Sequence, residues 1–335
     1  MSNWYLQSGK DSDVVISSRM RLSRNIEDFP FIRKCSKEDL NKIIEVMKEI
    51  TPSLGYGLQV INLKDIDDIT KVTLVEKHLV SPDFINKNIG AILINEEENI
   101  CIMINDEDHI KLQVFSAGQD LENLMNLAIE IDKKLGDLVK YSYSNKFGFL
   151  TASPTNIGTG MKVSVMVHLP ALTLTGNVEK VLNIVNNFGM NVRGTYGEGT
   201  QSKGDIYQIS NNQSLGLTEA EIIKNLKVIT DKIIEQEKLA RKYLTKNPVE
   251  LENRVYRSFG ILSYATKITT DECKKLLSDV KLGTDLGIIK ELDDAKINKL
   301  YLYTKPGNLQ KYLGKQLDGY SRDLKRTEVI KQILT

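Results

Sequence analysis

Apolar residues along the chain recur at two periods. Over residues 36–50, Ile43, Ile44, Met47 and Ile50 fall on one face at helical spacing, with Ser36 placed as cap and Asp39 in the first turn. Residues 89–94 and 99–104 are apolar runs of strand length separated by NEEE, which predicts a hairpin, and the alternating run 110–115 extends that sheet. A helix is predicted over 120–135 with Gly136 as its stop. Residues 163–169 fit a strand or the body of an apolar helix, and periodicity does not decide between them. A helix at 177–188 between Asn177 and Gly189 follows, then a strand at 205–210. The Thr218–Glu221 capping box opens a long helix reaching Leu244. Antiparallel strands with flanking helices predict an α+β domain over residues 1–246. From Pro248 onward helix follows helix, so residues 247–335 read as a small all-helical domain.

The 335 residues suit one large and one small domain. At 41% hydrophobic and 27% charged, the composition excludes wholesale disorder. The net charge of +1 supplies no global field for nucleic acid or an anionic membrane, so any anion site must be a local cluster. No apolar run approaches the ~20 residues of a membrane span. Residues 1–16 carry Asp11 and Asp13 and no long apolar stretch, so no secretory signal is expected. Cys35, Cys101 and Cys273 are widely spaced and read as reduced thiols of a cytoplasmic protein; nothing has metal-ligand spacing.

Four clusters carry candidate chemistry. In Ser17-Ser18-Arg19-Met20-Arg21, followed by Arg24, the two arginines two positions apart share one face of an extended backbone and can clamp a phosphate. Asn105-Asp106-Glu107-Asp108-His109 crowds three carboxylates beside a histidine, an arrangement suited to a general base. The glycine- and hydroxyl-rich run Ser153–Gly160, ending in Met161-Lys162, lets backbone N–H groups approach an anion. Arg193-Gly194-Thr195-Tyr196-Gly197-Glu198-Gly199 is a glycine loop with one Arg and one Glu. Each taken alone is as consistent with a solvated surface or an ordinary turn. His78 and His168 stand isolated.

In this order and spacing the clusters resemble those of the ATP:guanido phosphotransferases, the phosphagen kinases and their bacterial McsB-type protein arginine kinase branch. SSRMRLSRN, NDEDH, SPTNIGTGMKVSVMVHLPAL and VRGTYGEG each look like a family element, and the likeness spans nearly the whole chain. Arg322-Asp323-Leu324-Lys325-Arg326-Thr327 resembles the RDxxRA element of the McsB branch, where it belongs to a regulatory phosphoarginine pocket. Family members acting on small guanidines carry a helical domain ahead of the SxRxR segment. Here sixteen residues precede Ser17 and helices follow the catalytic part, which is similar to the McsB arrangement.

The resemblance implies ATP-dependent phosphorylation of protein arginines, in stress response and protein quality control. By the motifs, Glu107 is the base and Glu198 holds the guanidinium from the other side. ATP contacts are implied at Ser17, Ser18, Arg19, Met20, Arg21, His78, Lys111, Lys162, Val163, Ser164, Val165, Met166, Arg193, Gly194, Thr195, Tyr196, Gly197 and Glu198. Mg²⁺ is expected on the nucleotide phosphates. Arg322, Asp323, Arg326 and Thr327 are the implied phosphoarginine pocket. The implied partners are a McsA-like zinc-binding activator, a heat-shock repressor, Clp protease machinery and a second copy of the chain. Five positions depart from the pattern: Asp106 replaces Glu, Lys111 and Lys162 replace Arg, Ser153 replaces Cys, and Thr327 replaces Ala. Lys keeps the charge without the planar fork of Arg. Two alternatives therefore stay open: a kinase of free arginine or another small guanidine, and a catalytically weak phosphoarginine-binding adaptor.

Overall fold

The computed structural model describes residues 3–194 and 202–334. Its centre is an eight-stranded sheet in the order β2-β3-β4-β5-β1-β8-β10-β9, with every neighbouring pair antiparallel. The strands are β1 (Val15–Arg24), β2 (Gln59–Asn62), β3 (Ala91–Ile94), β4 (Ile100–Ile104), β5 (Ile110–Ala117), β8 (Met161–His168), β9 (Met190–Gly194) and β10 (Ile206–Asn211). A separate two-stranded ribbon joins β6 (Tyr143–Ser144) to β7 (Gly148–Phe149). The 89–104 hairpin and the added strand form as the apolar pattern predicts. The undecided segment 163–169 is strand: buried Val163, Val165 and Val167 alternate with Lys162, Ser164 and Met166, and β-branched side chains at every second position suit a pleated surface.

One sheet face packs against α1 (Lys37–Leu54), α4 (Leu121–Leu138), α6 (Val178–Asn187) and α7 (Glu219–Leu244), forming the largest core. The capping boxes at Ser36 and Thr218 are both present. Gly136 does not stop α4, which continues to Leu138; the glycine instead lets the Tyr141 ring approach, since a Cβ there would lie 3.3 Å from it. Asn177 precedes α6 without a side-chain cap. α5 (Pro170–Leu174) connects β8 to α6.

The opposite face is covered only in part. α2 (Asp68–Glu76) and α3 (Pro82–Ile85) close it over β3–β5 around Phe84, Ile92 and Met103. Over β1, β8, β10 and β9 the face stays open. A third core lies among α8 (Pro248–Tyr264), α9 (Thr270–Asp285), α10 (Asp294–Tyr303) and α12 (Gly319–Leu334). α11 (Pro306–Leu313) docks on α2, where the buried Glu76 carboxylate accepts hydrogen bonds from the Gly307 and Asn308 N–H groups at 2.8 and 2.9 Å. Among the described residues no helix is long and apolar enough to cross a membrane.

Candidate active site

The open face gathers cations that the sequence scatters over 175 positions. Strand alternation turns Arg19 and Arg21 to this face and buries Met20 and Leu22 behind them. Antiparallel register then sets Arg21 directly opposite Lys162, Arg19 opposite Ser164, and Gln208 opposite Arg193. Arg19, Arg21, Lys111, Lys162 and Arg193 line one cleft of about 340 Å³ with Glu107, Ser153 and Asn156. Like charges directly opposite on a sheet destabilise it, so the register carries a standing repulsion that an anion relieves.

Burial first, and neighbouring charge second, shift the acidities of these cations. Burial, with Arg21 beside it, pushes the Arg19 guanidinium well below its usual range. Arg21 is pushed down to about 10, chiefly by burial; Asp106 opposes the shift and Arg193 adds to it. Lys162 falls to about 8 through burial and the charges of Arg21, Arg193, Arg19 and Lys111. A polyanion in the cleft favours the charged lysine, so its binding near and above pH 8 takes up a proton, and affinity falls as pH rises past 8. Calorimetry of an ATP analogue in buffers of different ionisation enthalpy should show this uptake, up to about one proton, and Lys162→Arg should abolish it.

The acidic run folds into a tight turn between β4 and β5. Asn105 takes a left-handed φ of 65°, and its N–H donates to the His109 carbonyl at 2.9 Å. The three carboxylates then separate. Asp108 is buried, accepting from Asn25 and the Ala152 N–H at 2.7 Å each. Asp106 is buried and pairs with Lys111 at 2.6 Å. Glu107 alone of the three is exposed, and it lines the cleft. His109 is structural: its Nδ1 accepts the Ile26 N–H at 3.0 Å, which leaves Nε2–H to donate to the Pro30 carbonyl at 2.9 Å.

The implied ATP residues divide by strand face. Ser17, Arg19 and Arg21 on β1, and Lys162, Ser164 and Met166 on β8, line the open-face cavities. Ser18, Met20, Val163 and Val165 do not: they are buried on the other face, and the Ser18 hydroxyl donates to the Gly118 carbonyl at 2.7 Å. The resemblance implies nucleotide contacts at these four positions too; none of the three open-face cavities is lined by their side chains. His78, two residues beyond α2, takes a φ of 62° and borders the open face, its imidazole pushed well below the usual range by burial and by Lys305, Arg19 and Lys274. Gly194 closes β9, and Thr195, Tyr196, Gly197 and Glu198 lie outside the described residues.

One positioning residue carries no sequence signal. Lys87 donates through Nζ to the Asn105 carbonyl at 2.9 Å and to the Asp106 carbonyl, bracing the turn that presents Glu107. A lone lysine after a short helix reads as solvated surface, and only the folded turn gives it a task. Lys87→Met should lower kcat by about tenfold to a hundredfold, the scale of a misplaced reacting group, while ATP-analogue affinity measured by calorimetry stays at the parent value.

The C-terminal element is internally bonded. Arg326 is among the largest fully buried side chains, donating to the Thr304 and Ile268 carbonyls at 2.8 and 2.6 Å, to Asp323 at 2.6 Å and to the Thr270 hydroxyl at 2.8 Å. Thr327 is buried and donates to the Leu324 carbonyl at 2.7 Å. Arg322 stays half-buried on the same helix. Through these bonds Arg326 ties α12 to the start of α9 and the end of α10. Arg326→Ala strands four acceptors and should cost about 3 kcal/mol in urea unfolding.

Sheet, cleft and charge pattern together suit the binding of a polyanion. Residues 40–240 match the ATP:guanido phosphotransferase C-terminal catalytic domain, and residues 248–335 match the protein-arginine kinase McsB C-terminal domain. The chain is 44% identical over 334 residues to the protein-arginine kinase of Halothermothrix orenii, covering 99% of this chain and 96% of the relative. It is 41% identical over 340 residues to that of Bacillus subtilis, covering 100% and 93%. Among solved structures it is similar to the duplicated taurocyamine kinase of Schistosoma mansoni with bound transition-state analogue components. The TM-score is 0.59 at 27% identity, over 69% of this chain and 34% of that much longer one. Lombricine kinase shares the fold, with a TM-score of 0.59 at 23% identity over 69% and 68%. The chain belongs to the ATP:guanido phosphotransferase family, in its protein-arginine kinase branch. It is thus a phosphotransferase with ATP as donor and a guanidino group as acceptor.

Proposed function

We propose that the chain transfers the γ-phosphoryl group of ATP to arginine side chains of proteins. The observation that carries this is Glu107: of three consecutive acids, it alone faces the cleft that holds five cations. A guanidinium is a poor nucleophile until a proton leaves it. Glu107 accepts that proton as the guanidino nitrogen bonds to the γ-phosphorus and the bond to the ADP oxygen breaks. The transition state is loose and anionic, and Arg19, Arg21, Lys111, Lys162 and Arg193 stabilise it by position and charge. A role for Glu198 in holding the acceptor guanidinium is supported by family membership alone. Mg²⁺ would be held largely by the nucleotide phosphates, where it would offset their charge beside the cations of the cleft.

The division into a catalytic part, 1–246, and a helical part, 247–335, belongs to the same reading. So do a cytoplasmic setting, a role in stress response, a zinc-binding activator, a heat-shock repressor, Clp protease machinery and a second copy, all supported by family membership. Phosphoarginine at Arg322–Thr327 requires Arg326 to leave its internal partners, so its binding would be coupled to a loosening of α12. Incubation with ATP, Mg²⁺ and either an unstructured protein or free arginine tests the reading. Acid-labile phosphate on the protein supports it. Phosphate on free arginine alone points to a small-guanidine kinase, and no transfer points to the adaptor.

A further inference from the structure

The cleft takes one side chain of a protein substrate, so the residues flanking a target arginine must lie on its rim. Asp108, next to Glu107, accepts from the Ala152 N–H, and the loop that follows lines the cleft through Ser153, Thr155 and Asn156. This loop is the rim on the Glu107 side. The β6–β7 ribbon runs into it and is fastened to it. The Phe149 N–H donates to the Gly158 carbonyl at 2.8 Å, and the Gly158 N–H donates to the Phe149 carbonyl at 3.3 Å. A Cβ on Gly148 would stand 2.5 Å from the Gly158 carbonyl, and Gly148 has a φ of 75°, so this approach requires glycine. Asn25 joins the same segment to the acidic turn, donating to the Leu150 carbonyl at 3.1 Å and to Asp108 at 2.7 Å. The ribbon is thus a braced extension of the wall that carries Glu107.

This extension presents rings to solvent. Tyr143 is 56% exposed and Phe147 45%, so neither is spent on a core. The Tyr143 ring is held in place all the same. It meets the Phe149 ring edge-on at 5.3 Å, and Phe149 lies 3.6 Å from the Arg24 guanidinium, which pairs with Asp132. A braced aromatic gives up little freedom when a partner covers it, which suits it to binding. Phe149, opposite Tyr143 in the ribbon, precedes Ser153 by four residues. That is a reach of at most ~14 Å, which about four residues of extended substrate also span.

We propose that the β6–β7 ribbon docks the polypeptide around a target arginine, with Tyr143 and Phe147 receiving an apolar side chain within about four residues of it. The occupant is an extended segment of the substrate, continuous with the arginine in the cleft. This rests on the protein-kinase reading and names the surface that would tell one arginine from another.

The experiment uses peptides of one length with a single arginine in a glycine–serine background, each carrying one leucine at a different distance from the arginine. Phosphorylation by the full chain with ATP and Mg²⁺ is followed for the parent, for Tyr143→Ser combined with Phe147→Ser, and for Tyr143→Phe. With the parent, leucine within about four residues should lower KM about tenfold against the plain peptide, with kcat unchanged. The double variant should lose this preference while handling the plain peptide as the parent does, and Tyr143→Phe should keep it. A parent without the preference, or a double variant that retains it, overturns the inference. An equal loss on the plain peptide also overturns it, because the ribbon would then be structural. A fall in molar mass by light scattering in the double variant overturns it too, because the rings would then join copies of the chain. If the parent phosphorylates free arginine but no peptide, or neither, the protein-kinase reading fails and the inference falls with it.

Discussion

Glu107→Gln should reduce kcat by about 10²–10⁴ while leaving ATP-analogue affinity intact or slightly raised. The amide keeps the size of the side chain and its exposure to the cleft, but it cannot take the proton that the guanidinium must lose. Affinity should not suffer, because the carboxylate stands among Arg21, Lys111, Lys162 and Arg193, where a negative charge competes with phosphate. Asp106→Asn and Asp108→Asn should behave differently. Both carboxylates are buried with partners of their own, Lys111 for one and Asn25 with Ala152 for the other, so their loss should appear first as lowered stability. Single-turnover rates beside calorimetry separate these outcomes. Wild-type turnover in Glu107→Gln would move the base to another residue.

Arg21→Met should lower kcat/KM by about 10²–10³, the range for loss of one preorganised transition-state donor. The same change should leave the fold unharmed or make it more stable by about 0.5–1 kcal/mol, since it removes the like-charge pair with Lys162 across β1 and β8. Methionine keeps most of the stem that packs on the sheet. The Arg21 Nε is buried without a partner, so no internal hydrogen bond of that atom is lost. A fall in activity joined to a rise in Tm marks a residue kept for its ligand; a fall in both would make Arg21 a structural arginine. Arg326 offers the contrast, because each of its donor nitrogens bonds within the protein and its loss should lower Tm.

The sequence pattern carried the sheet and its charges well because both follow a period of two. Arg19 and Arg21 two positions apart must share a face, and the pattern of 110–115 and the 89–104 hairpin builds the platform behind them. The same period separates Ser17 from Ser18 and Lys162 from Val163, a distinction that a contiguous motif conceals. Isolated residues were illegible for a different reason. Lys87 matters through two carbonyls on a turn formed 18 and 19 residues later. Gly136 looked like a helix stop because glycine often is one, whereas here the constraint is the ring of Tyr141. The Arg322–Thr327 spacing placed two cations on one helix, but burial decided that Arg326 serves the fold.

The central claim is that protein arginine receives the phosphoryl group and that Glu107 takes the proton. It is tested most directly by ³¹P NMR and mass spectrometry of an unstructured, arginine-bearing protein incubated with ATP, Mg²⁺ and either the parent or Glu107→Gln. The account predicts a phosphorus–nitrogen signal mapped to arginine side chains with the parent, lost on acid treatment and reduced at least a hundredfold with Glu107→Gln. Acid-stable phosphate on serine, threonine or tyrosine, or equal arginine phosphorylation by both proteins, would contradict it.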